Sequence, residues 1–269
     1  MAEPASKPHI ALLDLGVADL LTLGNGICGM LAIVTLTVNV PGLAWLEGLA
    51  SDQVLAAILI ALGAVFDGLD GIVASKLGGS ALGADLDSLC DLITFVLAPA
   101  VLTLLTFSSI HPVTSIVVSV TILVFGLVRL ARFNSSPEHE AKEFTGLPSP
   151  GAAAGIVLMA LVGPRLGLPA SVALALIALF AFFMVSTVPY PKARRRSRSL
   201  VAGLLVFGFG VALALLVLPS QAEPILVGAL AVTLVIIAFG PITWWRLRRK
   251  RKGDPYAPPD APQEPGESS

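Results

Sequence analysis

An all-α membrane protein, a bundle of about eight transmembrane helices, is the fold class this sequence predicts, and three observations predict it. Of 269 residues, 55% are hydrophobic and only 13% charged, with a mean hydropathy of +0.88. A soluble domain carries about a quarter charged residues to cover its surface. The apolar residues fall in runs of roughly 18 or more, long enough to cross a bilayer as helices. Those runs show no alternation of period two, which argues against a β-barrel, and any other backbone crossing lipid must be helical.

The spans read in order as 17–40, 54–75, 82–107, 113–133, 147–163, 170–190, 200–219 and 224–245. The first contains Gly24, Gly26 and Gly29, small residues that let membrane helices pack closely. Connections after the odd-numbered spans are short and nearly free of cations. The connection after the second carries Lys76. The end of the fourth and the connection beyond it carry Arg129, Arg132 and Lys142. Beyond the sixth come Lys192, Arg194, Arg195, Arg196 and Arg198, and beyond the eighth Arg246, Arg248, Arg249, Lys250, Arg251 and Lys252. With Lys7, all lysines and arginines but Arg165 then share one side. The positive-inside bias makes that side cytoplasmic and places both termini there. An odd number of spans would scatter the same clusters over both faces. Nothing at the N-terminus has a signal-peptide pattern, so an uncleaved start is expected. The tail from Gly253 is rich in proline and acids and is expected to be disordered. Cys28 and Cys90 lie in apolar stretches and point to neither a disulfide nor a thiolate metal site.

The chemistry concentrates in FDGLDGIVASKLGGSALGADLDSLCDLITF, where Asp67, Asp70, Asp85, Asp87 and Asp91 fall at the end of the second span and the start of the third. Each aspartate deep in a membrane helix costs about 2.5–3.5 kcal/mol to insert, so four without compensation oppose insertion by roughly 10 kcal/mol. Asp67 and Asp70 are three apart, and Gly83, Asp87 and Asp91 follow steps of four, so each set shares a helical face. Gly78-Gly79 between them lets the chain turn back. Carboxylates facing one another from two helix ends suit Mg²⁺ or Mn²⁺, particularly where substrate phosphates complete the coordination. Gly71, Ala74 and Gly83 remove bulk beside the acids and let a pyrophosphate or a base approach the backbone. Asp85 is two residues from Asp87, points elsewhere and is left out of the metal site.

This segment resembles the signature of the CDP-alcohol phosphatidyltransferases, D-x2-D-G-x2-A-R-x8-G-x3-D-x3-D. Asp67, Asp70, Gly71, Ala74, Gly83, Asp87 and Asp91 fill its positions. Ser75 stands at the arginine position, and residues 76–82 form a spacer one residue shorter than the family's. Lys76, next in sequence, is the residue that would supply the cation. DLLTLGNGICGMLAI, RLARFN and FTGLPSP are similar to stretches of the phosphatidylserine synthase branch, and the shortened turn resembles archaeal relatives acting on archaeol lipids.

The resemblance implies a six-helix catalytic core over 17–190, two additional transmembrane helices over 191–245, a cytoplasmic segment before residue 17 and a basic then disordered tail over 246–269. It implies transfer of the phosphatidyl or archaetidyl group of CDP-diacylglycerol or CDP-archaeol to L-serine, with release of CMP. Two divalent cations, Mg²⁺ or Mn²⁺, would be held by Asp67, Asp70, Asp87 and Asp91, with Asp91 also acting as the base. Thr22, Asn25, Gly71, Ala74, Ser75, Lys76 and Gly83 would contact the nucleotide or CDP-lipid. Arg129, Arg132 and Asn134 would bind the acceptor or a phosphate, although arginines at a span end also snorkel. A homodimer embedded in membrane lipid is expected, and nucleic acid is not expected as a partner. Other acceptors remain open: inositol phosphate, glycerol phosphate or a choline-like alcohol. An intramembrane prenyltransferase or a cation transporter would also gather buried acids. The former usually separates its two motifs widely, and the latter spreads its acids over several helices.

Overall fold

The computed structural model describes residues 15–38, 51–80, 82–135, 143–186 and 189–191, and, nearer the C-terminus, 210–211, 213–215, 217–218 and 221–235. Lys7, Lys142, both basic clusters, most of the seventh span and the tail lie outside the described residues.

Helix α1 is Val17–Thr37, α2 is Asp52–Leu77, α3 is Gly83–Phe107 and α4 is Pro112–Ser135; all four are long and apolar enough to cross a membrane. Strand β1 (Glu143–Thr145) follows, then α5 (Ser149–Arg165), α6 (Ala170–Val185) and strand β2 (Pro189–Pro191). A further apolar helix, α7, is Ala222–Val235. The described residues are thus overwhelmingly helical, as the apolar runs require. One departure is the antiparallel ribbon of β1 and β2, with Phe144 opposite Tyr190. The sixth span consequently ends at Val185 rather than running to 190.

Helix α5 occupies the centre. Ala152, Ala153 and the whole stretch Gly155–Gly163 are buried, as expected for a helix apolar on every side. Phe95, Leu102 and Phe107 of α3, Ile122 of α4, and Leu174, Ile177 and Met184 of α6 close the core around it. The outward stripe of α4, Val113, Ile116, Val117, Val120, Val124 and Leu127, repeats at three- and four-residue steps, the face such a helix turns to acyl chains.

Two local features place the site. Gly78 ends α2 with φ +87, a conformation glycine adopts without a Cβ penalty, and the chain reaches the start of α3 within five residues. Helix α3 is not α-helical throughout: Leu92–Leu97 is π-helical, and the Ala98 N–H reaches back to Ile93 O. Pro99 lies just beyond, where it can donate no N–H and its ring crowds the preceding turn, so the wider turn absorbs it. The π segment starts immediately after Asp91.

Candidate active site

Helices α2 and α3 meet as an antiparallel pair. Asp67 lies ten residues from the end of α2, about 15 Å along the axis, and Asp91 is about 12 Å inside the start of α3. Asp67, Asp87 and Asp91 each present a carboxylate oxygen, and the three atoms lie within 4.8 Å of one another. Asp91 is buried, while Asp67 and Asp87 are half-buried. Three ionised carboxylate oxygens this close repel one another, a repulsion that a proton or a cation among them relieves, and all-oxygen donors are the set that Mg²⁺ and Mn²⁺ take. The residues present therefore fit a divalent ion. Asp70 is also buried but engaged differently: its Oδ2 accepts the Thr22 hydroxyl at 2.6 Å. Asp85 is exposed.

Helix α1 supports both sets of acids. Thr22 holds Asp70, with Ala18 O at 3.1 Å as its weaker alternative acceptor. The Asn25 amide donates to Asp91 Oδ1 at 3.1 Å, and the Thr94 hydroxyl donates to Asn25 O at 2.8 Å. The close approach this needs comes from glycine. A Cβ on Gly26 would lie 2.8 Å from Cys90 Sγ, and one on Gly29 would lie 2.7 Å from Thr94 Cα.

The last turns of α2 contrast with this packing. Gly71 is exposed, and a Cβ there would meet nothing within 4 Å. Ala74 beside it is half-buried; Ser75 and Lys76 are exposed, with the Ser75 hydroxyl turned back onto Ile72 O at 2.8 Å. Gly83 opens α3 opposite Asp19, whose Oδ1 would be 3.2 Å from a Cβ at that position. Asp19, buried in the first turn of α1, opens the stretch DLLTLGNGICGMLAI but has no role assigned from the sequence. Its Oδ2 accepts the Gly16 N–H at 2.7 Å, the geometry of a helix N-terminal cap. The available signal is an acid three residues before Thr22 in a span start otherwise short of charge.

Helix α4 brings Arg129, Arg132 and Asn134 to the same end. Arg129 donates through Nε to Leu147 O at 2.9 Å and through Nη1 to the Ser149 hydroxyl, while lying within electrostatic reach of Asp91 and Asp67. Arg132 donates to Val185 O at 3.4 Å, and Asn134 Oδ1 accepts the Ser88 hydroxyl at 2.9 Å. These bonds tie α4 to α3, to the start of α5 and to the end of α6. Gly146, with φ +86, turns the chain sharply beside Met184 O, where a side chain would collide.

Residues 15–188 match the CDP-alcohol phosphatidyltransferase family. Among curated proteins, the CDP-diacylglycerol–serine O-phosphatidyltransferase of Helicobacter pylori is 33% identical over 162 residues, covering 58% of this chain and 68% of that protein. The enzyme of the same name from Bacillus subtilis is 30% identical over 179 residues, covering 66% and 91%. The archaetidylserine synthase of Methanothermobacter thermautotrophicus is 39% identical over 140 residues, covering 51% and 58%. The family match spans helices α1 to α6 and every carboxylate of the acidic cluster, and on that ground the chain belongs to the CDP-alcohol phosphatidyltransferase family.

Proposed function

We propose that this integral membrane enzyme transfers the phosphatidyl or archaetidyl group of a CDP-linked lipid to the hydroxyl of L-serine and releases CMP. The observation that carries the chemistry is the convergence of Asp67, Asp87 and Asp91 within 4.8 Å, one turn of α2 from the exposed Gly71. The names of the relatives in Helicobacter pylori, Bacillus subtilis and Methanothermobacter thermautotrophicus support serine as the acceptor.

Asp67, Asp70, Asp87 and Asp91 would hold two divalent cations, Mg²⁺ or Mn²⁺, whose chemistry is to neutralise the donor pyrophosphate and the charge left on departing CMP. Around them the protein's own groups position the reactants. The open face of Gly71 and Ala74, with Ser75, Lys76 and Gly83, admits the nucleotide end of the donor against the backbone. Asp91 accepts the proton of the serine hydroxyl as its oxygen bonds to the lipid-bearing phosphorus and the bond to CMP breaks. An ordinary aspartate is a weak base for an alcohol, so orienting the hydroxyl is the larger part of its work. Arg129 uses two of its five N–H donors on Leu147 and Ser149, which fixes its guanidinium and leaves others for the serine carboxylate or a phosphate. Arg132 and Asn134 complete that side.

The sorting of cations along the sequence supports a site opening to the cytoplasm in the cell membrane, with both termini on that side. There a soluble acceptor meets a lipid donor. The prenyltransferase and transporter readings have no support from the family match. A homodimer and a six-helix catalytic unit over 17–190, with the later helices added to it, complete the proposal. Purified protein given CDP-diacylglycerol or CDP-archaeol with Mn²⁺ should release CMP on addition of L-serine. Release with inositol phosphate, glycerol phosphate or a choline-like alcohol, and none with serine, would replace the acceptor assignment.

A further inference from the structure

We propose that Asn25 is a positioning residue that holds Asp91 across the α1–α3 interface, and that it does not contact the nucleotide. Asn25 is fully buried, whereas Gly71, one turn from Asp67 on α2, is exposed. Its amide donates to Asp91 Oδ1 at 3.1 Å, the only side-chain hydrogen bond to that carboxylate among the described residues. The opposite amide orientation would set two oxygens face to face, so the chemistry fixes which end points at Asp91.

Three further features hold Asn25 in place. Thr94, fully buried in the π-helical turn, donates to the backbone carbonyl of Asn25. Gly26 and Gly29 bring α1 against Cys90 and Thr94, on either side of Asp91. The Asn25 Oδ1 lies where a Cβ on Gly63 would be 2.9 Å away, so the bare α2 backbone makes room for it. That oxygen is buried without a hydrogen-bond partner. A buried acceptor without a protein partner is a cost that the amide bears while its nitrogen holds Asp91. Asn25 thereby selects how Asp91 faces Asp67 and Asp87.

The inference rests on the transferase reading, and the experiment separates the two. The full-length protein and the variants Asn25→Ala and Thr94→Val are purified in detergent. Each is assayed for CMP release and, without substrate, for Mn²⁺ affinity by electron paramagnetic resonance. Asn25→Ala should lower kcat or Mn²⁺ affinity about 10–100-fold, the usual effect of removing a partner of a metal-ligating group, with the KM for CDP-lipid nearly unchanged. Thr94→Val, buried and isosteric, should shift the same quantities in the same direction by less, and it decides the matter if Asn25→Ala does not fold. A raised KM for CDP-lipid at unchanged kcat and Mn²⁺ affinity would overturn the proposal, as would two variants indistinguishable from the parent. A parent protein that binds Mn²⁺ but releases no CMP with any acceptor would defeat the transferase reading and leave the Mn²⁺ comparison as the test of Asn25.

Discussion

Replacing Gly71 with alanine should make the protein more stable and a worse enzyme. Gly71 lies inside α2, where glycine costs about 0.5–1 kcal/mol relative to alanine through backbone entropy. Its added methyl would meet no atom within 4 Å, so nothing in the fold opposes that gain. The same methyl would stand on the surface where we propose that the donor's nucleotide end approaches the backbone, one turn from Asp67. Holding the nucleotide off the backbone there should raise the KM for CDP-lipid on the order of tenfold, equivalent to about 1.4 kcal/mol. Thermal unfolding in detergent and CMP-release kinetics measure the two effects on one preparation. A higher melting temperature with unaltered KM and kcat would show that the open face of Gly71 is not where the donor sits. A lower melting temperature would show that the α2 backbone is not free there.

Gly29→Ala should behave in the opposite way, since its Cβ would lie 2.7 Å and 2.9 Å from Thr94 backbone atoms. Overpacking of that kind costs about 1–3 kcal/mol, and forcing α1 off α3 should also break the Asn25–Asp91 bond; melting temperature and CMP release should fall together. Asp87→Asn keeps the shape and removes one charge from the cluster, and it should lower CMP release at least about 100-fold without loss of folding, as judged by gel filtration. Chelation should abolish CMP release by the parent protein and added Mn²⁺ or Mg²⁺ should restore it, whereas activity that survives chelation would contradict metal dependence. Arg129→Lys keeps the charge but cannot bond Leu147 O and Ser149 together, and should cost about 1.5–3 kcal/mol in unfolding measurements.

The elements legible in the sequence are those whose signal is local. Spans announce themselves because crossing lipid demands a long apolar run, so α1 to α4 begin and end within a few residues of the expected bounds. The steps of four that put Asp87 and Asp91 on one face, and the Gly78-Gly79 turn, are likewise short-range. The features that local pattern hides depend on distant partners. Thr22 and Asn25 reach acids 48 and 66 residues away, and nothing in DLLTLGN distinguishes a group holding an aspartate from one holding a ligand. The π-helical turn lies just before Pro99 and packs Thr94 against the glycines of two other helices, contacts that no local pattern announces. The β1–β2 ribbon joins two three-residue strands separated by the whole of α5 and α6, one of them begun and ended by proline, too short for any periodicity to show. Asp19 is hidden by its setting, a cap residue that also faces Gly83.

The central claim is that Asp67, Asp87 and Asp91 form one divalent-cation centre, and Mn²⁺ titration of the substrate-free protein tests it most directly. Asp67→Asn and Asp87→Asn should each weaken Mn²⁺ binding at least about tenfold, while Asp85→Asn, exposed two residues from Asp87, should bind as the parent does. Equal affinity in all three variants would contradict the account.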